Sequence, residues 1–256
     1  MTDPQPDHNE IVVQSTELRD QGVVLPAVAY RPTGRGAHPG VVVAPGGLAV
    51  GVLDAYRWAG ERLALAGYLA LVPTYRAASP YDDVADLTLA LDWLEREADV
   101  DEARLSLLGH SRGGIAALRA AAIDARVRAV IAIAPVVDTA QYVRSVADFA
   151  PSARDGIVQF MGGTPEEIPD RYASVRVLGL VERIPQPVLL IHGTADMRVP
   201  LEHSLWLERA LREVGNERVR LEVVNGMGHF LELTTLGYQF ERVTDLVTTW
   251  LGDVLG

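Results

Sequence analysis

Residues 105–123 constrain the fold more than any other stretch of this chain. Leu105–Leu108 is a short apolar run that reads as a buried strand, and it leads directly into Gly109-His110-Ser111-Arg112-Gly113-Gly114. Ile115–Ile123 then reads as an Ala-rich helix. A strand turning this sharply into a helix leaves no room for side chains two residues before and two after the serine, and glycine stands at both places. The serine backbone is expected to be strained and its hydroxyl to project above the sheet. Gly114 lets the helix approach the strand closely. The backbone N–H of Arg112 is placed to face a developing oxyanion, helped by the positive end of the new helix. The plain alternative is a Gly-rich turn with an incidental serine. His110 is expected to pack beside the turn, and the Arg112 side chain suits a structural salt bridge as well as a substrate contact.

Around this unit, strands and helices alternate. Glu10–Thr16 and Val23–Tyr30 are β-rich and separated by Asp20-Gln21-Gly22, which predicts an antiparallel lead-in pair. Gly40–Pro45 reads as a strand buried on both faces. Apolar residues at helical spacing (Leu53, Tyr56, Ala59, Leu63, Ala66) stop at Gly67. Tyr68–Pro73, Arg128–Ala134, Pro187–His192 and Val219–Val224 follow as strands. Val84–Leu94, Leu201–Val214 and Tyr238–Val254 follow as helices. This rhythm predicts an α/β fold, a mainly parallel central sheet covered by helices on both faces. Residues 138–186 break it, and are expected to form a short helical cap insertion within a single domain spanning 1–256.

Composition narrows the function classes. Hydrophobic residues make up 48% of the 256-residue chain and charged residues 22%, ordinary values for a globular protein with a substantial core. The absence of cysteine removes disulfides, thiolate nucleophiles and thiolate metal sites together. A net charge of −11 repels phosphate backbones, so nucleic acid is not an expected partner. The first residues carry no basic region followed by an apolar run, and no segment reaches the ~18 apolar residues of a membrane span. The chain therefore reads as soluble and cytoplasmic.

A serine hydroxyl is a weak nucleophile until a base takes its proton and a third group orients that base. The strand 187–192 leads into His192-Gly193-Thr194-Ala195-Asp196, placing Asp196 beyond the strand's carboxyl end, on the side of Ser111. The last strand leads into Asn225-Gly226-Met227-Gly228-His229. Of six histidines, His8 lies in the tail, His38 in a polar loop, His110 beside the nucleophile, His192 at a strand end and His203 in a helix read as surface. Only His229 occupies the loop after the last strand. The alternatives are a loop histidine in a structural hydrogen bond, and for Asp196 a helix N-terminal charge. Pro45-Gly46-Gly47-Leu48 follows the first buried parallel strand, so Gly47 or Leu48 is expected to supply a second oxyanion N–H beside that of Arg112. A plain Gly-rich turn is the rival there.

With these residues in view, the chain resembles the α/β-hydrolase superfamily, and more narrowly the hydrolase domain of the prolyl oligopeptidase family. The likeness rests on four stretches. Val100-Asp101-Glu102-Ala103-Arg104-Leu105 leads into the Gly109–Gly114 turn, and Gly162-Gly163-Thr164-Pro165-Glu166-Glu167 lies in the cap. Pro187–Gly193 is followed by Asp196 and Arg198-Val199-Pro200, and Gly228-His229-Phe230 ends the series. The resemblance implies that Ser111, Asp196 and His229 take the family's triad roles. The chain departs from the family in having no room for a β-propeller, in carrying Pro45 where a histidine is usual, and in Ala173-Ser174-Val175-Arg176 after Arg171-Tyr172. It is similar in size to the dienelactone-hydrolase group, whose nucleophile is a cysteine.

Together these readings lead to the expectation of a serine hydrolase working through an acyl-enzyme, with no metal or cofactor. Small carboxylic esters are expected in preference to short peptides. Tyr142, Phe149, Phe160 and Met161 are candidates for an apolar acyl pocket, or equally for a cap surface packed on the body. A short-peptide peptidase and a hydrolase-shaped binding protein with an idle triad are the rival readings, and a homodimer is allowed.

Overall fold

The computed structural model describes residues 10–47, 53–76, 79–147, 150–231 and 238–256. One eight-stranded sheet runs through it in the order β1-β2-β4-β3-β5-β6-β7-β8. β1 (Ile11–Asp20) and β2 (Val23–Pro32) form an antiparallel ribbon turned at Gln21-Gly22, and β2 meets β4 (Leu69–Pro73) antiparallel as well. From β4 onward, β3 (His38–Ala44), β5 (Val100–His110), β6 (Val127–Ile133), β7 (Val188–Gly193) and β8 (Val219–Val224) are all parallel.

The central strands are apolar on both faces, and alternate residues feed two separate cores, as a period of two requires. Val42, Leu71, Leu107, Val130 and Leu190 pack against α2 (Asp82–Arg96), α3 (Arg112–Ala121) and α7 (Glu202–Glu213). Their neighbours Val41, Val72, Leu108, Ile131 and Leu189 pack against α1 (Arg57–Leu65) and α8 (Tyr238–Leu255), where Leu63, Val247 and Leu251 close the layer. Helices therefore cover both faces, as the alternation predicts. Among the described residues no helix is long and apolar enough to cross a membrane.

The break in rhythm after β6 is a set of three short helices, α4 (Thr139–Ser145), α5 (Pro151–Met161) and α6 (Pro169–Val175), followed by two 3₁₀ turns. Local signals fix them. The Asp138 carboxylate accepts from the Gln141 N–H at 3.0 Å and caps α4, while prolines open α5 and α6, where a missing N–H costs nothing. In the stretch Gly162–Glu167, Thr164 and Glu167 bond to each other's backbone N–H. The conspicuous Gly-Gly-Thr-Pro-Glu-Glu run is thus a helix stop followed by a self-capped turn.

Two strands run well beyond their expected bounds, β1 to Asp20 and β5 from Val100 to His110. One expectation is overturned. His203 is fully buried, not on the surface, because His203, Leu207 and Leu211 form the inner stripe of α7. Its Nδ1 accepts the Val137 N–H at 3.2 Å.

Candidate active site

Three strand ends place three side chains at one rim of the sheet. At the end of β5, Ser111 takes φ 54° and ψ −116°, a conformation non-glycine residues avoid, and becomes the N-cap of α3. Close packing enforces it. A Cβ on Gly109 would overlap the Gly113 carbonyl, and one on Gly113 would overlap the Ala44 carbonyl of the neighbouring strand end. The Ser111 N–H is held by the Ile133 carbonyl at 2.8 Å. These constraints lift the hydroxyl above the sheet.

The loops after β7 and β8 are stitched together. Ala195 N–H donates to the Met227 carbonyl at 3.0 Å, and Gly226 N–H to Thr194 Oγ1 at 2.9 Å. This brings Asp196 and His229 to each other. His229 Nδ1 lies 2.8 Å from Asp196 Oδ2, and His229 Nε2 lies 3.1 Å from Ser111 Oγ. Residues separated by 33 and 118 positions in the chain thus form one continuous hydrogen-bonded line. The other carboxylate oxygen, Oδ1, accepts the Arg198 and Val199 N–H groups, both at 2.8 Å. One oxygen thus organises its own loop and the other faces the imidazole, and the helix N-terminal reading falls away, because α7 begins only at Glu202. Burial works against its ionisation, but hydrogen bonds from His192, His229 and the Val199 N–H outweigh burial and hold the carboxyl well below its ordinary range.

Of the expected oxyanion donors, Arg112 begins α3, where the first N–H groups have no partner within the helix. Gly47 ends the described part of its loop at φ 84°, and Leu48 lies outside the described residues. The loop is pinned from three directions. Tyr75 Oη donates to the Pro45 carbonyl at 3.2 Å, Gly46 N–H donates to Tyr56 Oη at 2.6 Å, and Arg112 Nη1 donates to the Gly47 carbonyl at 3.0 Å.

The Arg112 side chain, left open between salt bridge and substrate, is a structural clamp. Its Nε bonds Asp83 Oδ2 at 2.8 Å and its Nη2 bonds Asp83 Oδ1, and the pair is almost wholly buried. The guanidinium lies 4.4 Å from the Phe160 ring centroid and 5.0 Å from that of Tyr75. Burial pushes the Asp83 carboxyl up even against the opposing pull of Arg112.

The four candidate pocket residues separate. Tyr142 is buried with Val136, Val146 and Val199, and Ile115 of α3 packs on the same cluster. Phe160 carries the Arg112 guanidinium from the cap side. Met161 fills the cap's own interior with Val143, Tyr172 and Val175, and Phe149 lies outside the described residues. Tyr56, Tyr75 and Asp83 contribute without a signal in the sequence motifs, and His192, which stands in one of them only as a strand end, sets its Nε2 2.9 Å from the Val199 carbonyl and 3.4 Å from Asp196 Oδ2.

Several known proteins resemble this chain in sequence or in fold. The chain is 27% identical over 203 residues to the uncharacterized peptidase YtmA of Bacillus subtilis, covering 75% of this chain and 77% of that one. The acylaminoacyl peptidase of Pyrococcus horikoshii superposes with a TM-score of 0.82 at 17% identity, over 96% of this chain but only 42% of that protein. A putative dienelactone hydrolase from Klebsiella pneumoniae superposes with a TM-score of 0.72 at 20% identity, over 95% of this chain and 99% of that one. These two structures share the α/β-hydrolase fold. The sequence model of the prolyl oligopeptidase family matches residues 75–256, a span holding the serine turn and both loops that meet it, and the chain belongs to that family.

Proposed function

We propose that this serine hydrolase of the prolyl oligopeptidase family cleaves small or medium carboxylic esters through an acyl-enzyme. The observation that carries the mechanism is the aligned pair of contacts, 3.1 Å from Ser111 Oγ to His229 Nε2 and 2.8 Å from His229 Nδ1 to Asp196 Oδ2. In this reading Ser111 Oγ attacks the ester carbonyl as His229 Nε2 takes its proton. Asp196 holds the tautomer with hydrogen on Nδ1 and stabilises the imidazolium. The tetrahedral oxyanion is met by the Arg112 N–H and by a second donor from Gly47 or Leu48. The intermediate collapses as His229 gives its proton to the leaving alkoxide. A water molecule, deprotonated by His229, then attacks the acyl carbon, and the proton returns to Ser111 as the acid leaves.

The ester reading draws on an apolar setting near the serine turn: Val136, Tyr142, Val146 and Val199 form a buried apolar cluster, and Ile115, one helical turn after Ser111, packs against it. The side chain of Arg112, the residue after Ser111, is paired with Asp83. A short-peptide peptidase is the second reading, favoured by the family and by the name of the Bacillus subtilis relative. Parallel turnover of p-nitrophenyl esters and aminoacyl-nitroanilides separates the two, and faster nitroanilide cleavage would overturn the ester assignment. A fluorophosphonate probe tests the mechanism itself. Wild-type protein is expected to label and Ser111→Ala to lose both labelling and turnover. A folded wild type that does not label would instead be a binding protein.

A further inference from the structure

Below the triad lies a second polar line that the mechanism above does not use. His110, one residue before Ser111, is buried, with Nε2 2.7 Å from the backbone carbonyl of His229 and Nδ1 2.7 Å from Tyr56 Oη. The Tyr56 oxygen in turn accepts the Gly46 N–H at 2.6 Å. The two imidazoles sit with centroids 4.9 Å apart.

The proton positions along this line follow from chemistry alone. A carbonyl only accepts, so His110 Nε2 must carry hydrogen. Burial lowers the pKa of His110 to about 4, so near neutral pH the ring is uncharged and Nδ1 offers a lone pair. Tyr56 must then donate to it, and burial raises its pKa to about 12, which keeps that proton in place. The phenol oxygen, with its own hydrogen committed, accepts from Gly46. Every group has one role, and no second arrangement satisfies them all.

We propose that Tyr56 and His110 are positioning residues that hold the loop 45–47 and the backbone of His229 in register, so that base and oxyanion donor are preorganised as a unit. Ser111 is tied into the same unit, because His110 precedes it on the strained turn. The line also commits the Gly46 N–H, leaving the oxyanion to donors further along the loop. Preorganisation of this kind acts where charge develops, so its loss should fall on kcat more than on substrate binding. This inference rests on the hydrolase reading.

Tyr56→Phe removes one oxygen and keeps the ring. With a p-nitrophenyl ester, kcat is expected to fall roughly ten- to a hundredfold with KM within about twofold. Affinity for a boronic acid, which mimics the tetrahedral adduct, should weaken by the same factor as kcat/KM. A folded Tyr56→Phe with kcat within about twofold of wild type would overturn the proposal. Should that variant not fold, His110→Gln and His110→Ala decide. The glutamine amide can still donate to the His229 carbonyl, so it should retain at least about ten times the kcat of the alanine variant. Equal loss in both would overturn the proposal. A wild type that neither labels nor turns over sinks the hydrolase reading itself, an outcome distinct from an active wild type indifferent to Tyr56.

Discussion

Asp196 and His229 are joined through one carboxylate oxygen only, Oδ2 to Nδ1 at 2.8 Å, while Oδ1 is saturated by the N–H groups of Arg198 and Val199. The division matters because the acid cannot rotate away from its partner without breaking its own loop. Its side chain is 1% exposed, so the pair acts in a low-dielectric setting. The imidazole is thereby held with hydrogen on Nδ1 and a lone pair on Nε2 facing Ser111.

Asp196→Asn is the clean test of that arrangement. Asparagine can still accept the two backbone N–H groups through its oxygen, which turns its amide N–H toward His229 and forces the imidazole into the wrong tautomer. We expect kcat to fall about 10³- to 10⁴-fold, with little change in unfolding midpoint. Steady-state ester turnover and denaturant titration of the same preparation check both halves.

The buried histidines set an acid limit on stability. Burial lowers both His110 and His203 to about 4 from an ordinary 6.5. Between those values the unfolded chain binds protons that the folded chain refuses, so stability falls as pH drops from about 6.5 to about 4 and then levels. The full shift of one such group corresponds to about 3 kcal/mol. Asp196, held low, adds its own loss only below the ordinary carboxylate range, as its proton returns. Urea midpoints measured from pH 7.5 to 4.5 should decline, and His203→Gln should flatten the decline. A flat profile in the wild type would contradict the buried, neutral assignment.

Arg112 and Asp83 give the third expectation. The pair is buried and bidentate, and Arg112 Nη1 reaches the Gly47 carbonyl. Removing one partner leaves an uncompensated charge, so Asp83→Ala should cost about 3–5 kcal/mol. Asp83→Leu with Arg112→Met should cost less than either change alone, yet should still slow turnover, because the loop 45–47 loses one of its three anchors. A double-mutant cycle in denaturant, with kcat measured alongside, separates the two effects.

The architecture was legible because it rests on local signals. Two-faced apolar strands, the stop at Gly67 and the Gly109–Gly113 turn each declare themselves within a few residues, and loops after successive strands must share one edge of a parallel sheet. That is why Ser111, Asp196 and His229 could be brought together without coordinates. Partnerships across the fold were not legible. Asp83 belongs to no motif and gains its meaning only when α2 is packed against α3, and Tyr56 reads as one more apolar position of a helix. His203 misled because its polarity spoke louder than its spacing, although its four-residue repeat with Leu207 and Leu211 marks the buried stripe. Met161 shows the same gap within the cap, since three short helices build a small interior of their own.

Ser111 stores strain that glycine would release. Its φ of 54° with ψ of −116° lies in territory that costs a residue with a Cβ about 1–3 kcal/mol. Ser111→Ala keeps the Cβ and the strain, so its stability should match the wild type within about 0.5 kcal/mol. Ser111→Gly removes both, and after about 0.5–1 kcal/mol of added unfolded-state entropy it should still be more stable by roughly 1 kcal/mol. Both variants should be inactive and unlabelled. Chemical denaturation of the three proteins provides the comparison. A glycine variant no more stable than the alanine variant would mean that the turn is relaxed in solution, and the hydroxyl would then owe its position to its neighbours alone.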